Sequence, residues 1–244
     1  MKYLPIIAVL FLFACKKAED RRCVKSAGEE SSIEVQLTPF EFLDLGPHLK
    51  YVLVQDTAEK LVISGGKNLL NFVESSVVDK KLSISNGNKC NFLRSYKHEV
   101  TVEIHLKNIY NVHFMGTKGL SCEGSLNLPY LTWVIEDGAG MCDLNLNSDV
   151  VYMVISNGWG RFKLNGSAKY LKMDVRTNGR GDTYDMSVQD SIHLIHSSSE
   201  LLKINMNGAA ARIEIGSNGN AWFTGTPSSL EYNQYGSGEL IDQN

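Results

Sequence analysis

From about residue 110 the chain alternates apolar and polar positions in short runs that recur about every twenty residues. Stepping by twenty gives Met115, Ile135, Ile155, Val175, Ile195, Ile215 and Tyr235, an apolar column. Two residues earlier runs a companion column of His113, Trp133, Met153, Met173, His193 and Ile213. Strict alternation sends every second side chain to one face of a strand. Just after the first column comes a turn: GTKG at 116–119, GAG at 138–140, GWG at 158–160, GRG at 179–181, SSSE at 197–200, NGN at 218–220 and GSG at 236–238. Glycine at such a corner allows the positive φ of a tight bend. After each turn alternation resumes, with Cys142, Leu144 and Leu146 in one repeat and Phe162 and Leu164 in the next.

One turn and two short strands cannot bury an apolar face alone, so the coils must stack on their neighbours. Stacked coils pair as parallel strands, and an equal period places like residues in ladders along the axis. The pattern predicts an all-β fold, a parallel β-helix or closely related solenoid with coils of about twenty residues and Gly-rich corners. A β-sandwich seldom holds one register for six repeats. The N-terminal half is less regular but strand-like over Ile33–Leu37, Phe40–Leu45, Tyr51–Gln55, Leu61–Ser64, Leu82–Ser85 and Val100–Leu106, with a single helical turn expected within Lys67–Glu74. No linker separates the halves.

Composition agrees with this picture and removes several function classes. Of 244 residues, 21 are Gly and 5 Pro, and a charged fraction of 21% argues against disorder and coiled coil. A net charge of −3 without a basic stripe gives no reason to expect a nucleic-acid partner.

The first residues read as a targeting device. Lys2 supplies a positive start, Leu4 to Phe13 form an apolar run too short to span a bilayer, and Leu12-Phe13-Ala14-Cys15 resembles a bacterial lipobox. Residues 1–14 are then a lipoprotein signal peptide, Cys15 is the lipidation site, 15–32 is a charged flexible tether, and 33–244 is one domain. Two or more acyl chains on Cys15 suffice for stable membrane attachment. The expected location is the cell envelope, lipid-anchored at the outer membrane on its surface or periplasmic face.

The segment Phe40–Ile84 (FEFLDLGPHLKYVLVQDTAEKLVISGGKNLLNFVESSVVDKKLSI), with NLL at 68–70 and the following KLSI, and then the GSG-like turns at twenty-residue spacing, resemble the head GIN domain family of autotransporter adhesins, common among Bacteroidetes lipoproteins. The resemblance runs over about residues 38 to 242. It implies a right-handed β-helix similar to pectin-lyase-like solenoids, tethered to the envelope and serving adhesion. The corners SSSE and NGN depart from the family's paired glycines.

Candidate chemistry is sparse. Besides Cys15, four cysteines remain, at 23, 90, 122 and 142. Cys122 and Cys142 share inward parity on neighbouring coils, which favours a ladder of buried thiols over a strained cross-strand disulfide. His113 and His193 fall in the apolar column and are expected in the core or at its end. No HExxH or Cys-His spacing marks a metal site, and the GxG turns lack the GxGxxG form that opens a helix. Asp143, Asp182 and Asp185 follow turns but repeat no paired-carboxylate geometry from coil to coil, so they read as solvated surface charge. No catalytic residue, metal ligand or cofactor is therefore assigned. Trp159 and Trp222 lie at or beside corners, the first as a candidate for stacking on a sugar and the second with inward parity. Trp159, Arg161 and Arg180 are the candidate binding residues. The functional expectation is a non-catalytic envelope-anchored solenoid that binds a glycan, a surface protein or another copy of itself. A polysaccharide-active enzyme of pectin-lyase type and a purely structural envelope protein are the alternatives.

Overall fold

The computed structural model describes residues 26–88 and 99–244. Cys15, Cys23, Cys90, His98, the signal peptide and most of the tether lie outside the described residues. The chain opens with β1 (Glu30–Gln36), β2 (Phe42–Leu45), β3 (Lys50–Gln55) and β4 (Lys60–Gly66), then a single turn of helix, α1 (Lys67–Leu70). β5 (Val73–Val78), β6 (Lys81–Asn86) and β7 (Thr101–Leu106) follow. The coils proper run through β8 (Asn111–Phe114), β9 (Leu120–Glu123), β10 (Leu126–Ile135), β11 (Met141–Ile155), β12 (Arg161–Thr177), β13 (Arg180–Thr183), β14 (Met186–Ser198) and β15 (Leu202–Asn205). They end with β16 (Ala210–Ile215), β17 (Ala221–Thr224), β18 (Ser229–Gln234) and β19 (Leu240–Asp242).

These strands form one continuous sheet wound into a parallel β-solenoid. Its first wall stacks β2, β8, the second parts of β10, β11, β12 and β14, then β16 and β18. The second wall stacks β3, β9, the first parts of β11 and β12, then β13, β15, β17 and β19. Residues 126–128, 146–148, 166–168 and 186–188 make a shorter third wall. The alternating inward side chains meet in a single apolar core that includes Trp133, Met153, Leu144 and Leu164, all with no exposed surface.

The twenty-residue step is an average. On the first wall the rung partners are Phe114, Ile135, Ile155, Val175, His196, Ile215 and Gln234. The step lengthens to twenty-one at Phe114–Ile135 and at Val175–His196, and shortens to nineteen above His196. One extra residue enters between Val188 and Ser191, where the register shifts. The fixed step therefore places Ile135, Ile155, Val175 and Ile215 correctly and misplaces Met115, Ile195 and Tyr235. Ile195 is an outward neighbour of Asp174 and Glu214, and the buried member of that rung is His196. The companion column likewise runs Val112, Trp133, Met153, Met173, Leu194 and Ile213, so His113 and His193 face outward, half-buried, and not the core.

Corner glycines serve clearance more than φ. Of the glycines in the GxG turns only Gly158 has a positive φ, of 94°. The left-handed corner positions are taken elsewhere by Asp137 and Thr177. A Cβ on Gly140 would collide with the carbonyl oxygen of Lys118 in the coil beneath, and one on Gly238 with that of Gly219. The corners are glycine because backbones pass there at van der Waals contact.

The N-terminal part breaks the winding order. β6 and β7 pair in parallel with β2 and β3 from below, while β8 and β9 pair with them from above. The chain thus lays its second rung first. Beneath β7 lie β4 and then β1, both antiparallel, with Ile33 opposite Ile63 and Leu61 opposite Ile104. β5 pairs antiparallel with β6 through a two-residue turn in which Asp79 and Lys80 both have positive φ, the primed turn that fits strand twist.

Candidate functional site

The candidate site is the outer surface of the solenoid, because the interior is filled by side chains. Trp159 protrudes from its corner with 62% of its surface exposed, while its backbone N–H donates to the Gly138 carbonyl of the coil below. Arg161 and Arg180 are in register on adjacent rungs, both exposed, and neither has a carboxylate partner among the described residues. The three predicted binding residues therefore sit together: two guanidinium groups side by side and an indole at the corner preceding the first. Trp222 departs from expectation. Ala221 takes the inward position, so Trp222 lies on the outer side, half-buried between Lys203 and Ile241.

The three carboxylates singled out from the sequence each have a partner. Lys163 holds Asp185 at 2.8 Å, Lys203 holds Asp182 at 3.3 Å, and Asn165 Nδ2 donates to Asp143 at 3.0 Å. Three outward histidines bridge rungs to acids. His113 lies between Asp44 (Nδ1 to Oδ1, 3.1 Å) and Glu136 (Nε2 to Oε2, 2.8 Å), so both ring nitrogens are engaged. His105 meets Asp56 at 3.0 Å, and His193 meets Glu214 at 3.1 Å. The His105 hydrogen bond holds the Asp56 carboxyl below its ordinary range, and that of His193 does the same for Glu214. A carboxylate engaged in this way is a poor general acid near neutrality. No group of three or more His, Cys, Asp or Glu side chains among the described residues could hold a metal ion.

Cys142 and Cys122 are both free thiols. They do not stack on each other: Cys142 lies over Leu120, and Cys122 is in register with Leu53. Burial pushes both thiols upward, Cys142 furthest, so neither offers a thiolate nucleophile near neutral pH.

Two features escaped sequence reasoning. One is His196, fully buried in the first-wall ladder, with neither ring nitrogen hydrogen-bonded. Burial holds its pKa down at about 4, against a weaker upward pull from the backbone at Asn220, Gly219 and Glu200. The uneven coil length hid it. The other is a concentration of exposed aromatic rings on the first wall: Phe42, Tyr110, Tyr130, Tyr152 and Tyr170. The four tyrosines recur about once per coil, which was visible in the sequence, but their side of the sheet follows only from the register.

The model of the family described as "Putative auto-transporter adhesin, head GIN domain" matches residues 39–201. No curated protein is significantly similar to the chain. Among solved structures, a putative adhesin from Bacteroides fragilis is 18% identical, covers 88% of this chain and 97% of its own, and superposes with a TM-score of 0.78. A putative adhesin from Parabacteroides distasonis is 16% identical over 88% of this chain and 98% of its own, with a TM-score of 0.62. A putative lipid binding protein from the same species is 13% identical over 89% of this chain and 98% of its own, with a TM-score of 0.60. At these identities the likeness is one of fold, and the β-solenoid is common to them.

Proposed function

We propose, on the premise that this chain belongs to the head GIN domain family of putative auto-transporter adhesins, that it is a non-enzymatic adhesin held on a bacterial cell envelope. Lipid on Cys15 would anchor it at the outer membrane, with residues 16–32 as the tether and the solenoid as the binding body. The observation that carries the reading is the outer surface itself. Outward side chains repeat in rows, one rung roughly 4.8 Å above the next. Asn127, Asn147 and Ser167 form one such row, joined by side-chain hydrogen bonds of 3.0 Å. Rows of this kind suit many weak contacts that add up through avidity, with a glycan or an envelope component as ligand. The occupied carboxylates and raised thiols support a binding role over catalysis. Trp159, with Arg161 and Arg180, forms a corner contact where an indole can lie on a sugar and two guanidiniums can meet its polar or anionic groups.

The test is adherence of cells or envelope fragments to the purified protein. The triple change Trp159→Ala, Arg161→Ala, Arg180→Ala should weaken adherence and leave the melting temperature in place. Adherence equal to wild type would remove the corner from the argument. Cleavage of a polygalacturonate or similar polymer by the purified protein would overturn the non-enzymatic reading.

A further inference from the structure

Resting on the adhesion reading, we propose that the outer face of the first wall is a binding strip for a linear glycan lying along the solenoid axis. The rings of Phe42, Tyr110, Tyr130, Tyr152 and Tyr170 are each between 37% and 46% exposed. Among the described residues, the other exposed aromatics are Trp159 at a corner and Tyr232 and Tyr235 in and just after β18. One wall thus gathers most of them.

Register makes the strip continuous. Tyr130 and Tyr170 flank Val150 in one row, two rungs or about 10 Å apart. Tyr152 sits on the rung between them, two residues further along its strand, in the row that reads Lys81, Phe42, Asn111, Thr132, Tyr152, Lys172. Tyr130 and Tyr152 meet edge to face, with centroids 5.6 Å apart and ring planes at 83°. Thr132 Oγ1 donates to Tyr130 Oη at 3.0 Å, which fixes the first ring. At the foot of the strip Phe42 opens on a cleft of about 620 Å³ that Val78, Asp44, Asn111, His113 and Lys81 also line.

The ligand class follows from this mixture. The flat faces of sugar rings carry C–H groups that pack on aromatic faces, and their hydroxyls need donors and acceptors nearby. Tyrosine supplies a rigid apolar ring and a polar tip at once, and here polar Asn111, Thr132 and Lys172 lie between the rings. A protein partner is the weaker fit, because a stable interface centres on a dry apolar core, whereas polar Asn111, Thr132 and Lys172 lie among these rings on three of the rungs. A nucleic acid is disfavoured by a net charge of −3. The cleft gives one end of the chain a deeper seat, and the strip above it holds successive residues.

The test is a glycan array and titration calorimetry with linear polysaccharides, using the whole purified protein. The variant Tyr130→Ala, Tyr152→Ala, Tyr170→Ala should lose roughly tenfold or more per ring in affinity. Tyr152→Phe should retain most of it, and the single change Tyr152→Ala serves should the triple variant fail to fold. Glycan binding left unchanged by the single and triple alanine variants overturns the strip. If wild type binds no glycan on the array yet cells still adhere to it, the strip fails and the adhesion reading stands. If neither glycan nor cells bind, the adhesion reading itself fails. A wild-type dimer that the alanine variants convert to monomer would make the strip a self-association face and overturn the glycan assignment.

Discussion

The coils from β8 to β19 and the cap from β1 to β7 are built from the same materials: short alternating strands, apolar inward residues and parallel neighbours at one spacing. They differ in order. Above β8 each rung follows the last in sequence, so sequence distance and spatial distance keep step. Below it β2 and β3 are enclosed between rungs formed later in the chain, and β1, β4 and β5 run antiparallel to their partners. A stack of parallel strands ends in an edge of unpaired N–H and C=O groups, which invites pairing with another chain. Antiparallel β4 and β5 cover the lower edge, and β1 covers β4 in turn with a strand that carries Glu30 and Glu34. The coils give length and surface; the cap closes one end.

The largest expected effect tests the register of the coils. Ile155→Asp would bury a charge without a partner beneath Val175 and above Ile135, and should cost more than about 4 kcal/mol or abolish folding, as followed by thermal unfolding. Ile195→Lys, a charge placed at the position equivalent under a fixed twenty-residue step, should cost about 1 kcal/mol or less, because Ile195 faces outward between Asp174 and Glu214. Equal losses in the two variants would contradict the uneven coil lengths.

The second effect concerns the cap. Deleting residues 26–37 removes β1 and uncovers β4 along seven paired positions. Light scattering should then show concentration-dependent self-association, while the circular dichroism of the coils persists. A monodisperse monomer would mean that β1 is not needed to guard the edge.

A pH dependence comes from His196. Its folded pKa of about 4 lies below its ordinary value of 6.5, so its neutral form is the one the fold accepts. The associated stability is intact above pH 6.5 and is lost as pH falls from 6.5 to about 4, by which point the loss is on the order of 3 kcal/mol. Denaturant titrations of wild type and His196→Leu should diverge across that window. Curves that stay parallel would show that the ring is not the source.

Smallest is the cost of backbone conformation alone. Gly124 has a φ of 69° and open space around its missing Cβ, so Gly124→Ala should cost about 1 kcal/mol from strain. Gly140→Ala, where the Cβ would strike the Lys118 carbonyl, should cost clearly more by the same melting assay. If Gly124→Ala proved the worse of the two, clearance between stacked corners would not be what selects glycine.

Alternation and the recurring turn determined by themselves that this protein is a β-solenoid, because period-2 patterning and a near-constant repeat are local properties of the chain. The strands of the N-terminal half other than β5 (Val73–Val78), the helical turn at Lys67–Leu70 and the surface role of Asp182 and Asp185 were legible for the same reason. So was the exposure of Trp159, Arg161 and Arg180 beside corners, whereas the register that sets Arg161 beside Arg180 came from the stacking. Whether His193 or His196 enters the core was not legible. Coil lengths that vary by one position either way average to twenty, and a slip of one position reverses every side chain between the two faces. Nor could the pattern show that β2 and β3 lie above β6 and β7, because pairing between distant segments depends on which edges remain free once the others have closed. The aromatic strip has the same origin: Tyr130, Tyr152 and Tyr170 recur about once per coil and Phe42 lies far from them in sequence, and only the register of the rungs decides that they share one face.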